Sequence, residues 1–367
     1  IHIFIEWGYL GLFTPTARVD SAIYILEREK NYNRSIFIKL NDLYETKRKE
    51  SLFNAFSSYL KKENHKLLFI IDQSKLKIIE SYPFVYWISD EFRENFSLEP
   101  LDNIVVICQG VATSNNNRFL RFWWEIDSNN ISKNYKMDNK KWVPYSKGGP
   151  HNKWFGNLWL LINWDNNGKE IKNYVIEKYD YISDYQWVVK NENYYFREGI
   201  TYSASGSKGI SFRYLPQNFI FDVGGSSIFP IKNFNNINYL IAFLNSKLSF
   251  YLTKCLNPTV NIQVGDLKRI PFEYPPKNLE NTISSLSKQN IQIKKHLCEF
   301  SIVEMNYKYN PIFWAEEKYK FSDLKKITKA YLDYENELLA RTYLNEALID
   351  ELIFQVYQVT EEDKQMI

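Results

Sequence analysis

Cysteine and histidine are scarce in this sequence. Only Cys108, Cys255 and Cys298 occur among 367 residues, too few and too scattered for a disulfide framework or a zinc site. The four histidines are isolated from one another and from the cysteines, so the clustered ligands of a metal site are missing. We therefore predict no metal site, and the cysteine usage favours a reducing, cytoplasmic environment.

Long apolar runs and a charge of one sign are missing too. No stretch is long enough to cross a bilayer and no signal peptide is visible, so we predict no membrane partner. The 46 lysines and arginines nearly balance 43 aspartates and glutamates, which leaves a net charge of +3. A surface that binds nucleic acid through positive charge must therefore be a local patch and not the whole protein.

Common catalytic signatures are also absent. The sequence has no P-loop, no G-x-S-x-G elbow and no glycine turn for a nucleotide cofactor. Asp165, Glu170 and Lys172 imitate the carboxylate–lysine pattern of metal-dependent nucleases. Their spacing is short and "DNNG" is a strong turn signal, so we interpret residues 164–174 as a turn followed by a polar helix start.

Aromatic residues, in contrast, are abundant. They make up 17% of the chain, which favours strands and supplies stacking surfaces. Apolar spacing predicts an amphipathic helix over residues 41–64, one buried helix over 236–256 and further helices beyond 277. Short alternating runs between them predict strands, namely "NIVVICQG", "RFLRFWWEI", "LWLLINW", "QWVVK", "GISFRYL" and "NFIFDVGG". The predicted class is α+β.

Two polar segments could contact nucleic acid. Residues 109–126 hold a loop rich in asparagine with arginines, and residues 198–230 alternate Ser/Gly-rich turns with aromatic strands. Asparagine pairs with adenine and arginine with guanine, while lysine and arginine also meet phosphates. Solvated hairpin loops and ordinary turns are the open alternative. The candidate DNA-binding residues are Thr113, Asn115, Asn117, Arg118, Arg121, Ser207, Lys208 and Arg213.

Several motifs occur in an order that resembles a known family. They are "QGVATSNNNRFLRFWWE", "VPYSKGGPHNKWFGN", "NWDNNGKEIKNY", "YYFREGITYSASGSKGISFRYLPQNFIFDVGGSSIFP" and "LIAFLNSKLSFYLTKCLNPTVNIQVGDLKRIPF". Together they resemble the target-recognition half of the PglX family, the adenine-specific DNA methyltransferases of BREX phage-defence systems, which is related to recognition domains of fused restriction-modification enzymes. The resemblance covers most of residues 81–275.

The resemblance implies three domains. Residues 1–80 correspond to the end of an α/β methyltransferase domain and a helical connector, 81–275 to a mixed, β-rich target-recognition domain, and 276–367 to a helical C-terminal region. "FTPTARVDSAIYILEREK" looks like the last strands of the catalytic domain, and "LNEALIDELIFQVYQVTEEDKQMI" like the helical end of such enzymes.

The catalytic motifs of the family are not found in this sequence. Asn257-Pro258-Thr259-Val260 imitates the Asn-Pro-Pro-Tyr loop that holds a flipped base, but Thr259 does not stiffen the turn and Val260 has no aromatic face. We expect the true loop and the S-adenosylmethionine turn upstream of Ile1, and no cofactor or catalytic residue in this chain. Three origins stay open as expectations: a fragment, a split gene product or a stand-alone subunit. The implied function is double-stranded DNA recognition for an adenine-N6 methyltransferase, alternatively as a specificity subunit with a separate catalytic protein and other defence proteins.

Overall fold

The chain folds into two compact units, residues 1–97 and residues 98–367. A computed structural model describes residues 2–9, 12, 19–28, 33–204, 208–231 and 234–367. Strands and helices are mixed in both units, which agrees with the predicted α+β class. None of the helices in these ranges is long and apolar enough to cross a membrane. The predicted boundary at 275/276 lies inside the second unit, and the three-domain division stays a prediction.

The secondary-structure elements are numbered in chain order. The strands are β1 (Ile3–Tyr9), β2 (Asp20–Ile25), β3 (Arg34–Lys39), β4 (Leu68–Asp72), β5 (Glu99–Pro100), β6 (Val105–Cys108), β7 (Leu120–Phe122), β8 (Trp142–Ser146), β9 (Leu160–Asn163), β10 (Gly199–Tyr202), β11 (Phe212–Leu215), β12 (Ile220–Phe221), β13 (Ser227–Pro230) and β14 (Pro271–Phe272). The helices are α1 (Glu45–Lys61), α2 (Asp90–Glu94), α3 (Asn116–Phe119), α4 (Tyr135–Asp138), α5 (Asp165–Lys178), α6 (Ile237–Asn245), α7 (Lys247–Leu256), α8 (Val264–Lys268), α9 (Lys277–Cys298), α10 (Pro311–Tyr319), α11 (Leu324–Val356) and α12 (Glu361–Lys364).

The first unit is built on a four-stranded sheet with the order β2-β1-β3-β4. β1 and β3 run parallel, and the outer strands β2 and β4 are antiparallel to their neighbours. The central strand β3 buries residues on both of its faces, namely Ser35 and the apolar run Ile36, Phe37 and Ile38. Helix α1 contributes the buried Ala55 to one core cluster and lies within the predicted range 41–64.

The second unit contains two four-stranded sheets, ordered β11-β10-β13-β6 and β12-β8-β9-β7, and the small pair β14-β5. Neighbouring strands are antiparallel except β12 and β8. The strand predicted over "QWVVK" is wrong: Tyr185–Trp187 form a 3₁₀ turn, because the Asp184 side chain accepts a hydrogen bond from the Gln186 N–H and caps it. "RFLRFWWEI" likewise begins in the short helix α3 before it enters β7.

Helices complete the second unit. The single helix predicted over 236–256 is wrong, because Ser246 adopts extended backbone angles and its hydroxyl accepts from the Ser249 N–H, which begins α7. Helix α9 packs against both α6 and α11, and α10 packs against α11. Tyr357, just after α11, donates its hydroxyl to the Pro271 carbonyl at 3.0 Å. The C-terminal helices therefore fold onto the same unit as the two sheets.

Candidate nucleic-acid interface

The polar loop at residues 109–115 is anchored by a close crossing of two backbones. A Cβ at Gly110 would lie 1.8 Å from the Phe221 carbonyl oxygen, so only glycine fits there. The buried Tyr145 hydroxyl lies 2.6 Å from Oδ2 of Asp222 and 2.9 Å from the Val111 carbonyl oxygen. Burial, reinforced by the Asp222 carboxylate, raises the pKa of Tyr145 well above its usual value, so the phenol stays neutral.

Asparagines organise the short helix α3 that follows. The Asn115 side chain accepts from the Arg118 N–H at 3.1 Å and caps the helix. Buried Thr113 donates its hydroxyl to Oδ1 of Asn116 at 2.5 Å, and the Lys147 ammonium donates to the same oxygen at 2.8 Å. Thr113 and Asn115 therefore hold the loop, whereas Lys147, on the turn after β8, joins it from a distant part of the chain.

Arg118 lies against helix α5. Its guanidinium pairs with Glu170, with NH2 2.9 Å from Oε1, and lies over the Tyr174 ring at 5.0 Å. Both members of the ion pair are about half exposed, so the pair is worth only about 0–1 kcal/mol. Arg118 could therefore exchange Glu170 for another acceptor at little cost.

A groove of about 510 Å³ brings several of these side chains together. Asn117 and Arg121, both predicted from the sequence, line it beside Asn116 and Lys147. The Arg121 guanidinium donates to the Asn117 carbonyl at 2.8 Å and to the Leu120 carbonyl at 2.6 Å, which fixes its position at the end of α3. The groove thus combines amide, guanidinium and ammonium groups with one carboxylate, Glu125, which accepts from the Phe122 N–H at 2.6 Å.

One exposed aromatic ring, Phe122, lines the groove and carries a second ring stacked on it. Phe122 and Trp124 stack with centroids 4.6 Å apart and planes at 4°, yet they remain 43% and 48% exposed. Trp123 between them turns inward and donates its indole N–H to the Val303 carbonyl at 3.1 Å. Sequence reasoning assigned this aromatic run to a strand and missed the stacked pair, although three consecutive aromatics cannot all lie on the buried face of a strand.

The second predicted loop is less compact. Ser207 lies outside the described residues. Lys208 is exposed and shares a cavity of about 280 Å³ with Lys254 and Phe250. Arg213 on β11 is only 1% exposed, so its guanidinium does not face solvent in this structure. The structure therefore groups five of the candidates near α3 and places Lys208 and Arg213 elsewhere.

Two motifs that imitate catalytic sites have structural explanations. The Asn257 amide donates to the Asn261 carbonyl and to Asp266, and its oxygen accepts from the Thr259 N–H at 2.9 Å, so it closes a turn after α7. In "DNNG", Asn166, Asn167 and Gly168 have left-handed backbone angles at the start of α5, as the turn interpretation predicts.

The carboxylates after this turn also have protein partners. Glu170 accepts from Asn163 at 2.8 Å, and the Lys172 ammonium pairs with Glu192 at 2.6 Å. Across the described parts of the chain, no group of three or more His, Cys, Asp or Glu side chains is placed to hold a metal ion. These residues therefore stabilise the start of α5.

Known proteins resemble this chain to different degrees. No family model matches the chain. Among solved structures, the Type IIL restriction-modification enzyme MmeI in complex with DNA aligns with a TM-score of 0.39 and 9% identity, over 97% of this chain and 45% of that chain.

Two relatives are similar in sequence. The adenine-specific methyltransferase PglX of Lacticaseibacillus casei (strain Zhang) is 31% identical over 278 residues, 73% of this chain and 22% of the relative. The adenine-specific methyltransferase BrxX of Escherichia coli O9:H4 (strain HS) is 30% identical over 277 residues, 75% of this chain and 21% of the relative. The chain thus spans about a fifth of the length of these relatives. Over about three quarters of its own length, the chain is related to the PglX and BrxX adenine-specific methyltransferases, and the resemblance expected from its motifs is confirmed.

Proposed function

We propose that the chain is the DNA sequence-recognition part of a site-specific adenine-N6 methyltransferase of a BREX-like phage-defence or restriction-modification system. The observation that carries this proposal is the groove beside α3. It combines donors and acceptors suited to base edges with a cation suited to phosphate and with an exposed aromatic stack. The sequence relation to adenine-specific methyltransferases supports the same class of function.

The groups in the groove suggest separate roles. The exposed Asn117 amide offers the paired donor and acceptor that adenine requires in the major groove. Lys147 supplies a point charge for a phosphate, and Arg121 is fixed by two backbone carbonyls, so it presents its remaining donors in one orientation. Arg118 is a second candidate for base contact once it releases Glu170.

We propose that the methyl donor is bound by a catalytic part and not by these residues. The glycine of β1, Gly8, has a φ of +90°, and a Cβ there would lie 2.7 Å from the Asn41 Cα. Gly8 therefore permits a close backbone approach within the first unit, and β1, which carries it, is paired with the antiparallel β2. Both features explain this glycine without a bound cofactor. We expect no S-adenosylmethionine binding in calorimetry and no tritium transfer to DNA by the chain alone. Turnover would contradict this expectation.

The recognition role is tested by fluorescence anisotropy with labelled double-stranded DNA across a salt series, after enrichment of preferred sequences from a randomised pool. Lys147→Ala should weaken all sequences alike and reduce the salt slope by about one. Asn117→Ala should cost about 1–3 kcal/mol on the preferred site and blur the preference. Matched controls are Lys329→Ala and Arg341→Ala, which remove exposed cations on α11 that do not line the groove.

The outcomes separate the alternatives. Identical curves for wild type, groove variants and controls would show that the groove does not touch DNA. Equal losses in the groove variants and the controls would indicate nonspecific charge attraction. If the chain binds DNA with the expected preference, mixing it with a separately expressed catalytic part and measuring methylation distinguishes a specificity subunit from one segment of a continuous enzyme.

A further inference from the structure

A second cavity, of about 410 Å³, lies beside the same polar loop, because Ala112 and Ser114 line it. Its other walls carry three aromatic side chains, Tyr179, Tyr181 and Trp187. Tyr181 and Trp187 are 83% and 73% exposed, which is unusual for rings of this size in a folded unit. The cavity therefore presents ring faces to solvent next to the proposed DNA-binding loop.

The backbone around the cavity is fixed. The Ala112 N–H donates to the Val188 carbonyl at 3.0 Å, and the Trp187 N–H donates to the Asp184 carbonyl at 3.3 Å. Ser114 has a φ of 56°, a left-handed conformation that a serine rarely adopts. Strained backbone of this kind is enriched at binding sites. The backbone that carries Trp187 is thus held by hydrogen bonds to neighbouring segments.

Two lysines lie at the cavity, while Asp184 and Glu192 line an adjacent groove that shares Trp187 and Lys190 with it. Lys190 lines the cavity and donates to Gln109 at 3.0 Å, and Lys178 lies beside it with its ammonium 2.6 Å from the Ser114 carbonyl oxygen. The Ser114 side chain, which hydrogen-bonds the Tyr179 hydroxyl, and Lys178 lower the pKa of Tyr179. None of the described residues that line the cavity is acidic. A cationic ligand is therefore disfavoured, and a planar neutral group joined to an anion is favoured.

We propose that this cavity binds an unstacked nucleobase of DNA held by the neighbouring loop. Aromatic faces stack on any base, and the two lysines suit the phosphates on either side of it. The inference rests on the proposed DNA-recognition function and adds to it a single-base pocket formed by Tyr179, Tyr181 and Trp187.

The test compares two labelled duplexes of the same preferred sequence, one fully paired and one with a single unpaired adenine, by fluorescence anisotropy. Wild type should bind the duplex with the unpaired base about tenfold more tightly, the effect expected of one stacked base. Trp187→Ala should abolish this preference, whereas Trp187→Phe should retain most of it. The control Phe122→Ala, which removes the ring that lines the other groove, should weaken both duplexes by the same factor.

Two results would contradict the single-base pocket and leave the proposed DNA recognition intact. The first is equal binding of both duplexes by wild type, and the second is an unchanged preference in Trp187→Ala. If wild type binds neither duplex, the proposed DNA-recognition function fails and this inference fails with it. Circular dichroism of each variant shows whether the fold is retained, and Trp187→Phe separates loss of an aromatic face from loss of the indole.

Discussion

Replacing Arg213 by methionine should make the second unit more stable. The Arg213 side chain is 1% exposed, and its one hydrogen bond to a described residue joins NH2 to the Ser203 hydroxyl oxygen at a long 3.4 Å. Nε and NH1 have no hydrogen-bond partner among the described parts of the chain. Glu304, whose carboxylate acts to raise the pKa of Arg213, already accepts from the backbone N–H groups of Asn157 and Leu158.

The pKa of Arg213 gives the size of the free-energy cost of burying its charge. Burial lowers this pKa from its usual value to about 10, with Glu304 acting in the opposite direction. At 1.36 kcal/mol for each pH unit, the buried cation costs about 3 kcal/mol. Because the folded-state pKa is below the unfolded one, this cost is fully present at neutral pH and is relieved only as the pH rises above about 10. Methionine keeps the apolar volume without the charge, and we expect a gain of about 1–3 kcal/mol.

The assay is urea unfolding followed by tryptophan fluorescence and circular dichroism. Arg93→Met in the first unit is the comparison for a partnered buried arginine, because Arg93 is equally buried but donates from NH1 to the Val85 carbonyl at 2.7 Å. Its replacement leaves a buried carbonyl without its donor and should cost about 1–3 kcal/mol. Arg213→Lys keeps a buried charge and should give no gain.

A loss of stability in Arg213→Met would refute this reasoning, since it would show that the guanidinium has a good partner in solution. DNA binding adds a second measurement. If Arg213 contacts a phosphate after a local rearrangement, as the sequence-based assignment expects, the stabilised variant should bind all DNA sequences more weakly. Unchanged binding would remove Arg213 from the set of DNA contacts.

Three further predictions follow from the second unit. Gly110→Ala should cost more than about 3 kcal/mol in urea unfolding, because its Cβ would meet the Phe221 carbonyl, whereas Gly265→Ala, with nothing within 4 Å, should change stability by less than about 1 kcal/mol. Tyr145→Phe should cost about 1–3 kcal/mol by the same measurement, since it leaves buried acceptors without their hydroxyl donor. Burial raises the pKa of Asp350, so stability should fall as pH rises from 3.8 through its folded-state pKa, and Asp350→Asn should remove that fall in melting curves compared between acidic and neutral buffer.

Local signals in the sequence predicted several elements well. The helix expected over 41–64 spans Glu45–Lys61, and the apolar runs at "NIVVICQG" and "LWLLINW" contain β6 and β9. These segments succeed because periodicity or a short apolar run bounded by turn residues is enough to define them. The loop candidates near α3 also cluster because they are neighbours in the chain.

Contacts between distant segments could not be predicted in the same way. Lys147 reaches Asn116 across 31 residues, and no local pattern in "SKGG" indicates that partner. The sequence-based assignment made Arg213 a candidate DNA contact, but β11 buries residues on both faces, and Trp154 pairs with Arg213 along its free edge. An edge strand covered by another segment has no signature in its own residues.

The break between α6 and α7 has the same kind of cause. The apolar pattern runs continuously through 236–256, so periodicity alone predicts one helix. In the structure, the buried Asn245 amide accepts from the Phe212 N–H at 3.0 Å and donates to the Phe212 carbonyl at 2.9 Å, so it pairs with the edge of β11 as a strand would. The Lys153 ammonium donates to the Asn245 carbonyl at 3.0 Å, an acceptor left free by the break. Helix α6 therefore ends where its last side chain hydrogen-bonds the backbone of a strand that is remote in sequence.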